Sequence, residues 1–314
     1  MKSLDKIIEN ASLIAIGGHV RPDGDCIGSL TAVKEYVNIN YPDKLVDCFV
    51  EEVPDALTFL VKEDFRVRKN NAKPYDLFIT LDCADRERLG ETVDIFDQAE
   101  KTVCIDHHIS NIGFADENII SADTGSTCEL LCSLLDFNKL NQHAAVCLYT
   151  GIIHDTGVLQ YSNTTPDTLR TVARLLEFRF DFSEIIEKSF YSKTYVQNKL
   201  LGFALTKSRL ELGNKCMISA VSLDERDALG AKDDDFEGIV NQLRLTEECA
   251  LAVLMHEIKP DVWRVSMRSK REVDLIPIAR ANDGGGHTVA AGCTIYGTET
   301  EAYEKLLKDI EENL

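Results

Sequence analysis

Residues 12–25 read SLIAIGGHVRPDGD, a short apolar run that leads directly into a histidine and two aspartates. The run at 12–17 predicts a buried β-strand. In the extended spacing H-x-x-x-D-x-D, His19 and Asp23 can converge on one point, while Asp23 and Asp25 share a face. A solvated turn is the alternative, because Pro-Asp-Gly favours turns strongly. The stretch therefore predicts either a polar turn or the beginning of a metal site at the end of a strand.

Short apolar runs alternate with helical patterns through the first half of the chain. Further strands are predicted at 45–50, 76–81 and 102–105, and helices at 26–38, 126–135, 142–153, 166–177 and 182–190. Strands that alternate with helices are typical of a doubly wound, mostly parallel α/β sheet. Ligands of such sheets bind outside the carboxyl ends of the strands.

The pattern restarts in the second half, after a long helical stretch at 195–210. Strands are predicted at 215–221, 250–258 and 262–268, helices at 224–229, 235–243 and 300–312, and a glycine-rich loop at 283–287. A chain of 314 residues is long enough for two domains. We expect a metal-binding catalytic domain at 1–190, a helical connector at 191–212 and a smaller α/β substrate-binding domain at 213–314, with the active-site cleft between the domains.

The composition restricts the possible functions. A formal net charge of −19 disfavours binding to a long duplex, and a single tryptophan disfavours a stacking module for single strands. No apolar stretch reaches the roughly 18 residues of a membrane span, and the N-terminus has no export signal, so we expect a cytoplasmic protein. The ten cysteines are scattered without a CxxC pair, which indicates reduced thiols.

Three more polar clusters follow apolar segments of the first half. Asp82 and the triplet Asp106-His107-His108 each close a predicted strand, and Asp155 follows a predicted helix. Each has a structural alternative: a helix N-cap for Asp82, a surface loop for the histidines and a turn for Asp155. Adjacent histidines on extended backbone point to opposite faces, so that one can bind metal while the other faces a substrate. Asp106 is placed to hold a ring N–H.

These clusters are expected to meet at one edge of the sheet. The predicted centre consists of His19, Asp23, Asp25, Asp82, Asp106, His107, His108 and Asp155. Imidazole and carboxylate ligands suit two Mn²⁺ ions, with Mg²⁺ or Co²⁺ as alternatives, better than a structural zinc. Two ions ~3.5–4 Å apart activate a water and clamp the oxygens of a phosphoryl centre. The sequence therefore predicts a metal-dependent phosphoesterase.

The sequence resembles the DHH phosphoesterase superfamily, which is named after the triplet found here at 106–108. The matching motifs are HVRPDGD (19–25), LDCAD (81–85) and HDTG (154–157) in the first half, and RSK (268–270), GGGH (284–287) and AAG (290–292) in the second. The second half is similar to the DHH-associated C-terminal domain. Compact two-domain members of this architecture include manganese-dependent bacterial enzymes that degrade very short RNAs and 3′-phosphoadenosine 5′-phosphate (pAp).

The resemblance implies a role for each residue of the centre. The ligands would divide between two ions, His19, Asp23 and Asp82 at one and Asp25, Asp82, His107 and Asp155 at the other. Asp82 would bridge the ions, and Asp106 would support the site. His108 would contact the scissile phosphate or protonate the leaving oxygen.

The resemblance also implies that the second domain binds the other phosphate end of the substrate. The residues concerned are Arg268, Ser269, Gly285, Gly286 and His287. A local surplus of basic residues at 259–280 agrees with this role. The sequence departs from the family where Asp283 replaces a glycine and where Ala281-Asn282 replaces an aromatic residue before the loop.

The leading hypothesis is an exo-acting phosphoesterase that hydrolyses short oligoribonucleotides and pAp. A phosphodiesterase for linear or cyclic dinucleotides, such as pApA or pGpG, is the main alternative. A pyrophosphatase or exopolyphosphatase is the third hypothesis, and the GGGH and AAG elements argue against it. No membrane partner is expected, and a homodimer is compatible with the sequence.

Overall fold

A computed structural model of the chain describes residues 3–62, 74–270 and 273–313. It contains two compact units, Met1–Ser192 and Lys193–Leu314. Each unit has its own sheet and its own hydrophobic core. Among the described residues, no helix combines the length and the apolarity that crossing a bilayer requires.

The first unit is built on a five-stranded sheet with parallel neighbours throughout. Its strands are β1 (Leu13–Gly17), β2 (Leu45–Phe49), β3 (Leu77–Leu81), β4 (Thr102–Asp106) and β5 (Glu117–Ile120). The strand order is β2-β1-β3-β4-β5, so the winding direction reverses between β1 and β3. Such a reversal opens a crevice at the carboxyl ends of the two strands. The predicted doubly wound parallel sheet is confirmed, and His19 and Asp82 follow the two strands that flank the reversal.

The helices of the first unit flank this sheet. They are α1 (Leu4–Ile7), α2 (Gly24–Asn40), α3 (Val93–Gln98), α4 (Thr127–Leu134), α5 (Gln142–Asp155), α6 (Pro166–Leu176) and α7 (Phe182–Ile186). Single 3₁₀ turns occupy Asp55–Leu60, Glu87–Thr92 and Phe137–Lys139, and a π-helical turn occupies Glu187–Tyr191. Helix α2 is buried along most of its length because α4 and α5 pack against it.

Polar side chains determine where the helices near the site begin. Ser126 accepts a hydrogen bond from the backbone N–H of Glu129 at the start of α4, and Asn141 accepts one from Ala144 at the start of α5. Thr165 does the same for α6, with Pro at the first helical position. These side chains satisfy N–H groups that have no partner within the helix, at a typical gain of about 1 kcal/mol each.

Two apolar clusters cover the two faces of the first sheet. The larger one joins the strands to α2, α4 and α5. The smaller one is aromatic and includes Phe49, Phe78 and Phe96, with the rings of Phe78 and Phe96 edge to face at 5.4 Å. All ten cysteines of the chain are buried free thiols.

The second unit has a mixed six-stranded sheet of order β10-β11-β9-β8-β7-β6. Its strands are β6 (Arg209–Glu211), β7 (Cys216–Val221), β8 (Leu251–Lys259), β9 (Val262–Ser269), β10 (Gly285–His287) and β11 (Ala290–Tyr296). Its helices are α8 (Tyr195–Lys207), α9 (Leu223–Leu229), α10 (Ile239–Arg244), α11 (Ile276–Arg280) and α12 (Glu299–Glu311), with a 3₁₀ turn at Asp233–Phe236. Of the strands described for this unit, only β7 and β8 are parallel neighbours.

The structure differs from the sequence pattern in several places. The expected glycine-rich loop contains the edge strand β10, which pairs with β11. Consecutive glycines do not indicate a strand in a sequence, because they lack the side chains whose alternation marks one. The helix assigned to a connector, α8, packs into the core of the second unit through Leu200 and Ala204. The short strands β5 and β6 were not expected, because four and three residues are too few to show an alternation.

His256 in β8 is a buried imidazole, and neither ring nitrogen has a hydrogen-bond partner among the residues that the structure describes. Its ring stacks on Phe236 at 4.3 Å, and Arg264 is its neighbour across the sheet. Burial, together with the charge of Arg264, lowers the pKa of His256 to about 4. The folded chain therefore holds a neutral imidazole that the unfolded chain would protonate below its ordinary pKa of 6.5.

We predict that the second unit loses stability as the pH falls from 6.5 towards 4. Because the unfolded chain binds a proton that the folded chain excludes, the free energy of unfolding should fall by roughly 2 kcal/mol between pH 7 and pH 5. Urea unfolding followed by the fluorescence of Trp263, the one tryptophan of the chain, measures this loss. His256→Phe should remove that part of the pH dependence, and an unchanged pH dependence in the variant would contradict the assignment.

Candidate metal centre

His19 lies in the loop between β1 and α2 with only 4% of its surface exposed. Its Nδ1 is 2.9 Å from the carbonyl oxygen of Val20, which orients the ring. Nε2 therefore faces two carboxylates, with Asp82 Oδ2 at 3.5 Å and Asp23 Oδ2 at 3.8 Å. A backbone partner for one ring nitrogen is the usual arrangement of a histidine whose other nitrogen binds metal.

Asp23 and Asp25 have structural contacts as well as a place at the centre. Asp23 is the N-cap of α2, and its Oδ1 accepts hydrogen bonds from the N–H groups of Asp25 and Cys26 at 3.0 and 3.1 Å. Asp25 is fully buried. It accepts hydrogen bonds from the backbone N–H groups of Thr127 and Cys128 at the start of α4, at 2.6 and 2.9 Å. Asp23 therefore caps a helix where the sequence left a polar turn and a metal site as alternatives, and one of its oxygens, Oδ2, still faces His19.

Asp82 lies between the histidines of the centre. Its backbone has φ of 56°, a left-handed conformation that residues with a side chain seldom adopt outside Asn and Asp. One carboxylate oxygen, Oδ2, faces His19, while Oδ1 is 3.7 Å from His107 Nε2 and accepts a hydrogen bond from Thr127 Oγ1 at 3.1 Å. Because each oxygen faces a different histidine, this carboxylate could contact two ions at once if both were bound.

His107 completes the second half of the cluster with Asp155. Its Nε2 is 2.9 Å from Oδ2 of Asp155, the last residue of α5, and 4.0 Å from Oδ2 of Asp25. The ligand atoms of Asp25, His107 and Asp155 lie within 4.8 Å of one another, and so do those of His19, Cys26 and Asp82. Cys26 is thus a neighbour of the centre that the motif pattern did not indicate.

His108 is oriented by a buried chain of hydrogen bonds. Its Nδ1 is 2.7 Å from Asp106 Oδ1, and the other oxygen of Asp106 accepts a hydrogen bond from Asn111 Nδ2 at 2.8 Å. Asn111 also donates to the carbonyl of Cys83 at 3.1 Å. Sequence reasoning missed Asn111, because an asparagine in a short polar loop is an ordinary turn residue.

The electrostatics of this cluster are those of carboxylates and imidazoles in mutual contact. Burial alone would lower the pKa of His19 and of His107, yet the adjacent carboxylates raise each to about 10. Burial raises the pKa of Asp25, and the neighbouring charges of Asp82 and Asp155 raise it further. Buried carboxylates at this distance repel one another, so divalent cations among them would be stabilising.

The donor set fits divalent metal ions. Carboxylate oxygens suit hard divalent ions, and imidazole nitrogens suit transition metals. Among the described residues, three groups of three potential donors lie close together, and Asp82 and His107 each belong to two of these groups. The proposed ligands have hydrogen-bond partners outside the cluster. The backbone N–H of Thr127 donates to Asp25, the Thr127 hydroxyl donates to Asp82, and the carbonyl of Val20 contacts His19. Such support orients metal ligands before the ion arrives.

In the second unit, the predicted substrate-binding residues lie at the end of β9 and in β10, the two strands that pair with β11 on either side. Arg268 pairs with Ala290 across the sheet, and its Nη1 donates to the carbonyl of Met267 at 2.9 Å. Ser269 is buried, and its hydroxyl donates to the carbonyl of Val273 at 2.8 Å, so an anion there would have to compete for that hydrogen.

The glycine-rich strand of the second unit is exposed along its whole length. Gly285, Gly286 and His287 are all open to solvent. Gly286 has φ of 144° and approaches the carbonyl of Ala290 so closely that a Cβ would lie 2.5 Å from it. Within the basic stretch at 259–280, residues 271 and 272 lie outside the described residues.

Comparisons with known proteins identify the family of the two units. Residues 13–152 match the model of the DHH family, N-terminal domain, and residues 213–314 match the DHHA1 domain. The bifunctional oligoribonuclease and PAP phosphatase NrnA of Bacillus subtilis is 30% identical over 95% of this chain and 93% of the relative. The protein of the same name from Thermus thermophilus is 29% identical over 96% of this chain and 90% of its own length.

A solved structure has the same fold. An exopolyphosphatase-related protein from Bacteroides fragilis superposes with a TM-score of 0.88 at 24% identity, over 98% of this chain and 94% of its own. The sheet, the donor set and these relatives define a metal-dependent phosphoesterase. The chain belongs to the DHH family.

We predict that Asp82→Asn removes most of the stabilisation that Mn²⁺ gives the folded protein. Asparagine tolerates the left-handed backbone but has only one oxygen and no charge, so the fold should survive while the bridge is lost. Thermal unfolding with excess Mn²⁺ and with EDTA measures the effect. Asp94→Asn, which changes an exposed carboxylate of α3, is the matched control. Equal Mn²⁺ stabilisation of Asp82→Asn and the control would contradict the bridging geometry.

We predict that Asn111→Leu lowers kcat for phosphoester hydrolysis roughly 10- to 100-fold, because positioning errors at a proton-transfer group have effects of this size. Mn²⁺ affinity should change little, since the side-chain amide of Asn111 donates to Asp106 and Cys83 and not to the proposed metal ligands. Steady-state kinetics and calorimetric Mn²⁺ titration test the two parts separately. A parallel loss of metal binding and kcat would show that Asn111 supports the whole centre instead of His108.

Proposed function

We propose that the protein hydrolyses short oligoribonucleotides and pAp with the help of two Mn²⁺ ions. The observation that carries the proposal is the geometry of Asp82, whose two oxygens face His19 at 3.5 Å and His107 at 3.7 Å. Two divalent ions bound there would activate a water and neutralise charge on a phosphoryl group. The names of the Bacillus and Thermus relatives favour oligoribonucleotides and pAp as substrates.

His108 is the proposed acid of the reaction. Asp106 holds its Nδ1 at 2.7 Å and raises the pKa of the imidazole, which leaves Nε2 as the atom that carries a proton to the leaving oxygen. Nearly a third of the His108 side chain is exposed, in contrast to the fully buried Asp106, so the ring can reach a substrate. Asp106 acts through His108 and holds the ring in one orientation.

Arg268, Ser269, Gly285, Gly286 and His287 are the proposed binding residues for the second phosphate end of the substrate. An anion can approach the backbone of the exposed glycine strand closely, and a guanidinium such as that of Arg268, on the other side of β11, is a suitable partner for it. The net charge of −19 favours small substrates, because a long polyanion would be repelled by most of the surface.

The test compares turnover of pAp, an RNA dinucleotide without a 5′-phosphate, the 5′-phosphorylated dinucleotides pApA and pGpG, and pyrophosphate by the Mn²⁺-loaded protein. We expect hydrolysis of the RNA dinucleotide and pAp, and little or none of pyrophosphate. His108→Ala should lower kcat by about 100-fold or more on the preferred substrate, the usual size of a lost proton-transfer group. His143→Ala, which removes a histidine of α5 outside the centre, is the control.

Absence of turnover of both the RNA dinucleotide and pAp would refute the proposal. Faster turnover of pApA or pGpG than of the RNA dinucleotide and pAp would indicate a dinucleotide phosphodiesterase instead. Equal activity of His108→Ala and the wild type would refute the role of His108 alone.

A further inference from the structure

The segment that follows Asp155 has an unusual backbone. Gly157, Val158 and Leu159 have φ of 55°, 57° and 63°, three consecutive residues in the left-handed region. Residues with side chains visit this region singly, and a β-branched valine is especially unfavourable there. Such conformations persist only where surrounding contacts impose them, and they concentrate at functional sites.

The left-handed run folds the chain back towards the metal centre. The backbone N–H groups of Gln160 and Tyr161 both donate to the carbonyl of Thr156, each at 2.9 Å. Asn163 Nδ2 then donates to the carbonyl of Asp155 at 3.1 Å and to that of Gly125 at 2.9 Å. The loop is therefore closed onto Thr156 by two backbone hydrogen bonds, and Asn163 joins it to Asp155, a proposed metal ligand.

The result is a defined position for the ring of Tyr161. A Cβ at Gly157 would lie 2.3 Å from Cζ and 2.5 Å from both Cε atoms of that ring. Because the approach is equally close to the two Cε atoms, one face of the ring lies directly on Gly157. The Tyr161 side chain nevertheless keeps 47% of its surface exposed, so the other face is open to solvent.

An aromatic ring with one supported face and one open face is a platform for stacking. Nucleobases stack on such rings irrespective of their sequence, because every base has a π-face. The ring rests on Gly157 of the HDTG motif, and the loop that carries it is bonded to Asp155 through Asn163. The ring thus lies against the second residue after Asp155, on the same loop as that proposed metal ligand.

We propose that Tyr161 stacks a nucleobase of the substrate and so selects nucleotides over base-free phosphoesters. The inference rests on the proposed function, and it adds a base subsite to the first unit. The glycine at position 157 is then required because a side chain there would displace the ring from its support.

The experiment compares an adenylyl RNA dinucleotide with an abasic analogue of the same sugar–phosphate backbone. Tyr161→Leu should raise KM for the dinucleotide at least about fivefold, as expected for the loss of one base–aromatic stack, and leave the abasic analogue unaffected. Tyr161→Phe, which retains the ring, should behave as the wild type. Tyr296→Leu, which removes another exposed ring, is the control.

Two results would overturn the inference. An equal loss on both substrates, accompanied by weaker Mn²⁺ binding, would mean that Tyr161 only supports the loop of Asp155. No change on either substrate would mean that the open face is unused.

A failure of the proposed function can be told apart from a failure of the base subsite. If the wild type hydrolyses neither substrate, the base subsite is tested by calorimetric binding of AMP and ribose 5-phosphate to the Mn²⁺-loaded protein. A preference for AMP that is lost in Tyr161→Leu and kept in Tyr161→Phe supports the platform. An absence of that preference in the wild type overturns it.

Discussion

The carboxylate of Asp82 is the constraint on which the rest of the first unit depends. It follows β3 at the point where the winding of the sheet reverses, and it is buried with its backbone in the left-handed region. From there it contacts the histidine loop after β1, the DHH triplet after β4 and the start of α4 through Thr127. Without a cation, the buried carboxylates repel one another. Backbone N–H groups that bond Asp25 offset part of this repulsion, and the carboxylates raise the pKa of His19 and of His107.

Much of this arrangement could be predicted from the sequence. The apolar runs before His19, Asp82 and Asp106 indicated strands, and strands with intervening helices imply a parallel sheet whose carboxyl ends lie together. The structure accordingly brings His19, Asp23, Asp25, Asp82, His107 and Asp155 into one cluster in the first unit. The division of those ligands between two ions stays a prediction.

The remaining features depend on contacts that a linear pattern does not contain. Asn111 is part of the site because its amide donates to Asp106 and to the carbonyl of Cys83. Cys26 lies beside His19 because it is in the first turn of α2, directly after the histidine loop. The glycine-rich segment pairs as an edge strand although its composition suggested a loop. Tyr161 has no apolar periodicity to mark it, and its position follows from three left-handed residues that propensities disfavour.

We propose that the carboxylate of Asp82 joins two ions in a single centre. Electron paramagnetic resonance of the chain titrated with Mn²⁺ tests it most directly, together with the bound stoichiometry from equilibrium dialysis. We expect two Mn²⁺ ions per chain and a broad, exchange-coupled spectrum that becomes uncoupled in Asp82→Asn. One ion per chain, or two ions with the spectrum of isolated Mn²⁺ in the wild type, would contradict it.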